Sequence, residues 1–527
     1  MSGALKNDLL SVKSKSIGAS SMPDRLSQEI IIAMVGPVGS GVTTAAEFIR
    51  KTLTQEFEYT VPGIIRPADF ILAEMHRVSM EPPPKKPLGT YITTLQDAGN
   101  RLREKFHGDY LAEKVVEAIV KLRSDLGGAS DKADQIPGRR AYIIDSLKNK
   151  DELDLLRRLY GKTLFLFGVF APDDMRKMRL IDKDVADEDE AKKIINRDRG
   201  EPLTFGQMTR SVFTESDFFI CNDTKVDELE RKLRRYIDLV FDVGVHTPTQ
   251  AESAMHEANS AAVNSACMSR QVGASIVSRN GELIAVGYND VPKFKGGLYR
   301  EDNRHVLDLD SMKPAFLDKD HRCYKWGKGV CHNETRRNNI VDKIAEKIKQ
   351  SKLVGSRISV ADIKAAIAGS PVESLIEFSR SIHAEMEAIL SVAREGRHSI
   401  VGSTLYTTTY PCHNCARHIV AAGISTVVYI EPYDKSLAIE LHNDSIAETK
   451  SSDKSHVVFH QFDGVSPRIY FELFKLKGAR KSAGRAVKPA PKSALPVFRM
   501  QLDGISEYES LVLFGLEEKE KAVAVLE

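Results

Sequence analysis

The chain has 527 residues, 42% hydrophobic and 28% charged, with 75 Lys+Arg against 73 Asp+Glu. The length suggests about three folding units. The composition excludes wholesale disorder and collagen-like classes, and the near-neutral balance argues against a surface built throughout for nucleic acid or anionic membrane.

Residues 1–28 are polar, Ser- and Lys-rich, and lack an apolar run, which predicts a flexible leader and no signal peptide. No stretch approaches the ~20 apolar residues of a membrane span. Six cysteines are too few for a disulfide scaffold, so a cytoplasmic, reducing setting is expected.

Glu29 to Val35 is an apolar run of strand length. A glycine-rich turn, Gly36 to Thr44, and an amphipathic stretch, Ala45–Leu53, follow. Further apolar strands are predicted at Ala141–Ile144, Thr163–Phe170 and Asp217–Cys221, and a helix at Lys225–Phe241. Apolar strands alternating with helices indicate a buried parallel sheet, here an α/β domain over residues 29–242.

A second α/β domain is expected over residues 250–474. It opens with a helix at Gln250–Met268 and strands at Gly273–Val277 and Glu282–Gly287 around the turn at Asn280 and Gly281. A long insertion, 291–378, turns helical from Asn338. A helix (His383–Arg394), a strand (Ser403–Thr408), a helix (Cys415–Ala422) and a strand (Thr426–Ile430) follow. Residues 475–499 carry basic residues and no acidic ones, as a charged linker would, and the chain turns acidic after residue 500. Residues 475–527 therefore read as a basic linker and an acidic tail.

The sharpest motif is His383-Ala-Glu385 followed by Pro411-Cys412-His-Asn-Cys415. One imidazole and two thiolates suit zinc, and three protein ligands leave a fourth position open, the pattern of a catalytic site. Cys412 and Cys415 can chelate one ion from a turn entering a helix, whose N-terminus favours thiolate. Glu385 would lie beside the metal without ligating it. A carboxylate there can move a proton from water to substrate, as hydrolytic loss of ammonia from an aminopyrimidine requires. A Cys-x-x-Cys alone is often a structural half-site or two buried thiols. The joint pattern is that of zinc nucleobase deaminases.

Residues of about 252–474 resemble the cytidine and deoxycytidylate deaminase superfamily, nearest its deoxycytidylate branch. The resemblance is carried by Ser265 to Ala274, by Gly287-Tyr-Asn289 before Val291 and Pro292, and by the two zinc motifs. It implies a mixed five-stranded sheet between helices, homo-oligomeric assembly and a deoxycytidine nucleotide substrate. It also implies that Asn289 hydrogen-bonds the sugar. Arg270, beside the base-edge strand, is the candidate for the substrate phosphate.

His305, His321, Cys323, Cys331 and His332 crowd the insertion. The set His321, Cys323, Cys331 and His332 could hold a second, structural zinc, or the thiols could lie in an irregular loop. A long ordered insertion also suits substrate or oligomer contacts.

The turn Gly36-x-x-x-x-Gly41-Val42-Thr43 fits the phosphate-loop frame except that Val42 stands where lysine is expected. Gly36, Gly39, Ser40, Gly41 and Thr44 still offer backbone N–H groups to an anion, Thr43 could meet Mg²⁺, and Asp145 ends a strand as a Walker B carboxylate would. Residues 29–242 resemble P-loop nucleoside and nucleotide kinases, with Met175–Arg199 placed like their lid. The missing lysine favours nucleotide sensing over phosphoryl transfer, with a nucleoside triphosphate and Mg²⁺ as the ligands. A degenerate scaffold is the alternative.

The pairing of these two domains resembles bacterial anti-phage deoxycytidine nucleotide deaminases. It implies zinc-dependent deamination of dCMP, dCTP or both. Two further readings stay open: a polynucleotide deaminase acting on single-stranded DNA or RNA, and a nucleotide sensor with a regulated deaminase output. A regulatory nucleotide or RNA is a conceivable partner; a membrane is not.

Overall fold

A computed structural model describes residues 25–526 except 127–136, 184, 186, 202–204, 224–225, 302–305, 309–312, 316–319, 327–328, 352, 434, 449–454 and 488. Most of the expected leader, and His305, lie outside the described residues. The fold is α/β. The chain divides into two compact units, Met1–Thr247 with Asp463–Glu527, and Pro248–Phe462. Among the described residues no helix is long and apolar enough to cross a membrane.

In the first unit, β1 (Ile30–Val35), β2 (Ile64–Ile65), β3 (Ala141–Asp145), β4 (Leu164–Phe170) and β5 (Phe218–Cys221) form a parallel sheet in the order β5-β4-β1-β3-β2. Every residue of β1 and β4 is buried, which is why both read as unbroken apolar runs. The glycine-rich turn joins β1 to α1 (Val42–Gln55), which buries Ala45, Ala46, Ile49 and Leu53 on one face. This is the expected P-loop kinase-like arrangement. Helix α2 (Tyr110–Asp125) belongs to the same unit. The segment placed like a lid is two helices, α3 (Asp173–Ile181) and α4 (Glu188–Arg199).

The structure differs from expectation at the C-terminus. The strand Gly464–Val465 adds antiparallel to the free edge of β5, so the second unit ends at Phe462 rather than near 474. The expected linker returns to the first unit: the Val497 N–H donates to the Val240 carbonyl at 2.8 Å, and Phe498 stacks on Phe165. The expected acidic tail is a helix, Leu502–Leu526. Leu502, Ile505, Glu509 and Leu516 are buried at roughly helical spacing, and the helix packs on α2.

A buried charge cluster fastens that helix. Arg123 of α2 hydrogen-bonds Glu29 at 2.8 Å and Glu509 at 2.9 Å, Arg140 reaches Glu29 at 2.7 Å, and the Tyr160 hydroxyl donates to Glu509 at 3.0 Å. Arg123, Glu29 and Glu509 are each at most 3% exposed. Removing one member strands charge in a dry interior. Glu509→Ala is expected to cost about 3 kcal/mol of stability, the low end for a broken buried pair because Glu29 remains on Arg123. Urea unfolding of the full chain measures it.

In the second unit, β6 (Gly273–Val277), β7 (Leu283–Tyr288), β8 (Thr404–Thr409), β9 (Thr426–Glu431), β10 (Ile446–Ala447) and β11 (Val457–Gln461) form one mixed sheet, ordered β10-β11-β9-β8-β6-β7. The strands β8, β9, β11 and β10 run parallel, and β6 is antiparallel to both neighbours. The sixth strand beyond the expected five is the two-residue edge β10. Helices α5 (Gln250–Ala262), α6 (His332–Gln350), α7 (Ala384–Glu395) and α8 (His413–Ala421) complete the elements that matter for the site. Helix α6 starts six residues before the expected Asn338. Glycines on the sheet let two helices lie close. A Cβ on Gly273 would stand 1.8 Å from the Ala258 carbonyl oxygen, and one on Gly287 would stand 2.4 Å from that of Ala384.

Candidate metal centre and active site

Two helix starts bring the zinc motifs together. His383 is the N-cap of α7 and Cys412 the N-cap of α8, with Cys415 one turn on. The strand β8 delivers the chain to Pro411, whose fixed φ suits a helix entry. His383 Nδ1 lies 3.3 Å from both Cys412 Sγ and Cys415 Sγ. The Cys415 thiol donates to Glu385 Oε2 at 3.4 Å. Cys412 and Cys415 are buried, and Glu385 is 4% exposed.

The charges are coupled. The hydrogen bond from Cys415, helped by His383 and opposed by burial, pulls the Cys412 thiol down to about 4. Burial holds the Cys415 thiol well above its ordinary value. Burial also opposes a charged His383, but the Cys412 hydrogen bond and charge raise it to about 8. Burial pushes the Glu385 carboxyl up. Among the described residues this trio is the sole group of three or more His, Cys, Asp or Glu donors close enough to share an ion. Two sulfurs and one imidazole nitrogen within 4.8 Å are a donor set that fits zinc. Binding would displace protons, since the ligands act as thiolate and neutral imidazole.

The trio opens onto a cavity of about 280 Å³. Asn289 and Arg270 line it beside His383, Glu385 and Cys412. Asn289 is largely committed to the backbone: its Oδ1 accepts from the Val272 N–H at 2.7 Å, and its Nδ2 donates to the Arg270 carbonyl at 2.8 Å. One amide hydrogen remains for a ligand. Arg270 is half exposed and pairs with Glu431 at 3.1 Å.

Among the described residues, no three of His321, Cys323, Cys331 and His332 bring their donor atoms within 4.8 Å of one another. His321 and His332 instead flank Trp326, with ring centroids at 6.2 Å and 5.2 Å. Cys323, Cys331 and His332 line the same cavity as the trio. The insertion is thus a wall of the site. Arg380 and Tyr433 also line it, and sequence reasoning missed both. Neither sits in a motif; a lone arginine three residues before His383 was the available signal.

Backbone packing sets the position of α7. At Gly287 any side chain would strike Ala384, the residue between His383 and Glu385. Gly287→Ala is expected to displace that turn and lower activity about 100-fold with a well-folded chain, as small misplacements of catalytic groups do. Steady-state rates alongside circular dichroism check it.

In the first unit, Gly39 and Gly41 take positive φ of 82° and 92°, shaping the loop. Thr43 Oγ1 donates to Asp145 Oδ2 at 2.8 Å, and burial raises the Asp145 carboxyl. Helix α3 grips the loop from outside: Arg176 donates to the Val38 carbonyl at 2.9 Å and Arg179 to that of Gly39 at 3.2 Å. Ser40 is buried, and Thr44 lies in the first turn of α1. Lys148 bridges the Gly36 carbonyl at 3.0 Å and Asp198 at 2.8 Å.

Residues 248–431 match the family model of the cytidine and deoxycytidylate deaminase zinc-binding region. The deoxycytidylate deaminase of Enterobacteria phage T2 is 31% identical over 172 residues, covering 33% of this chain and 74% of that protein. That of Enterobacteria phage T4 is 31% identical over 173 residues, covering 33% and 72%. A UPF0200 protein of Saccharolobus islandicus is 26% identical over 152 residues, covering 28% and 71%. The solved dCMP deaminase from the cyanophage S-TIM5 aligns at 18% identity over 41% of this chain and all of that one, with a TM-score of 0.21, too low to add weight. On the trio, its neighbouring carboxylate and the two phage relatives, the chain belongs to the cytidine and deoxycytidylate deaminase family.

Proposed function

We propose that the chain is a zinc-dependent hydrolase that deaminates deoxycytidine nucleotides, dCMP, dCTP or both, to deoxyuridine nucleotides. One observation carries the reading. A half-buried His383 and the buried Cys412 and Cys415 have the Glu385 carboxylate against them, beside a cavity of about 280 Å³. Zinc, when bound, supplies a Lewis acid that lowers the pKa of water.

The chain's own groups supply the rest. Glu385 accepts a proton from the attacking water and delivers it to N3 of cytosine, then accepts the remaining proton of the new C4 hydroxyl and delivers it to the amine as that leaves C4. Cytosine plus water becomes uracil plus ammonia, and the carboxylate is restored. The remaining Nδ2 hydrogen of Asn289 is assigned to the sugar, and its two backbone bonds hold it in place.

The first unit is read as a nucleotide sensor, with a nucleoside triphosphate and Mg²⁺ near Thr43 and Asp145. Support comes from their 2.8 Å contact and from a loop whose carbonyls are tied back by Arg176 and Arg179. Val42 argues against phosphoryl transfer. Homo-oligomeric assembly, a cytoplasmic setting and anti-phage depletion of deoxycytidine nucleotides complete the proposal; these three rest on the motif resemblance.

The substrate class is tested by offering dCMP, dCTP, CMP, deoxycytidine and a cytosine-containing single strand to purified full-length protein. Products are separated by chromatography. Deoxyuridine nucleotides support the reading. Uracil found only in the oligonucleotide would replace it with polynucleotide editing.

A further inference from the structure

A nucleotide brings at least one phosphate into the cavity, and an anion leaving water needs a cation or fixed N–H groups to meet it. Among the described lining residues, only Arg270 and Arg380 carry a permanent positive charge. They are not equivalent. Arg270 is half exposed and already faces the Glu431 carboxylate at 3.1 Å, so that corner is locally neutral. Arg380 has no carboxylate partner among the described residues. One nitrogen, Nη1, donates to the His321 backbone carbonyl at 2.9 Å. Its guanidinium lies over the Trp326 ring, 4.2 Å from the centroid.

Both contacts orient the guanidinium without neutralising it. A cation stacked on an indole keeps its in-plane N–H groups free for a bidentate anion. Trp326 is itself braced, with the His332 ring 5.2 Å away on one side and the His321 ring 6.2 Å away on another. His332 Nε2 is buried with no hydrogen-bond partner, and His332 lines the cavity. The surrounding acids do not cancel the Arg380 charge. Asp290 accepts from the Ala266 and Val291 N–H groups, and Glu385 sits at the trio.

We propose that Arg380, stacked on Trp326, recognises the 5′-phosphate of the substrate and sets the preference for nucleotide over nucleoside. Arg270 then closes the rim with Glu431. This rests on the deaminase reading for the reaction, but not for the binding.

Two measurements on the full-length chain test it. The first is the ratio of kcat/KM for dCMP to that for deoxycytidine. Arg380→Gln is expected to lower that ratio about 100-fold, and Arg380→Lys is expected to recover part of the loss. An unchanged ratio in Arg380→Gln, whether both rates fall or neither does, overturns the proposal.

The second is intrinsic fluorescence. Trp326 is the chain's only tryptophan, so its emission reports this wall alone. Wild-type emission is expected to respond to dUMP at concentrations at least ~100-fold below those needed for deoxyuridine, and Arg380→Gln is expected to remove the difference. Equal responses to dUMP and deoxyuridine overturn the proposal. So does a response to inorganic phosphate alone as tight as that to dUMP. If no cytosine compound is turned over yet the dUMP response is present and lost in Arg380→Gln, the phosphate site stands and the deaminase reading falls.

Discussion

Glu385→Gln is expected to abolish deamination, lowering turnover about 10⁴-fold, the upper range for a positioned proton carrier, while zinc content stays at the wild-type level. Glutamine matches the carboxylate in size and keeps a hydrogen-bond acceptor toward Cys415, now 3.4 Å away. It cannot carry a proton from water to N3 and then to the leaving amine. The residue is 4% exposed, so solvent offers no easy substitute. Rates of dUMP formation and elemental analysis of the same preparation check both halves. Loss of metal in this variant would make Glu385 structural.

Cys412→Ser is expected to lose metal and activity together. Serine stays protonated where cysteine gives a thiolate, and an alcohol oxygen is a poor zinc ligand beside sulfur. The change also removes the hydrogen bond and charge that raise His383. Stability should follow. A ligand present at a hundred times its Kd stabilises the native state by about 2.7 kcal/mol, and that contribution disappears with the site. The melting temperature of wild type with and without a chelator gives the metal contribution. Cys412→Ser should melt near the chelated value and no longer respond to chelator. Retained stoichiometric zinc would move the metal site elsewhere.

The candidate metal trio is legible in the sequence because the proposed chemistry fixes residue type and spacing. Cys412 and Cys415 lie one helical turn apart, and His383 and Glu385 bracket a single alanine. The parallel sheet of the first unit is legible for a similar reason: strands buried on both faces leave unbroken apolar runs. What escapes is long-range. Residues 502–526 look like a solvated tail because acids outnumber bases. Glu509 is nevertheless buried, answered by Arg123 from a helix far away in sequence. The two residues of β10 and the pair Gly464–Val465 are too short to carry a periodic signal. In the insertion, histidine and cysteine content suggests a metal. The rings of His321 and His332 go to Trp326 instead, a choice that local spacing does not encode. Arg380 carries no motif at all; only the fold reveals an unneutralised cation facing the trio's cavity.

The most direct test of the central claim follows the oxygen. Purified wild-type protein with bound zinc is incubated with dCMP in heavy-oxygen water, and the product is read by mass spectrometry. The account predicts dUMP carrying one solvent oxygen at C4, ammonia in equal amount, and neither from Glu385→Gln. Zinc-replete wild type that yields no deoxyuridine nucleotide from dCMP or dCTP would contradict it.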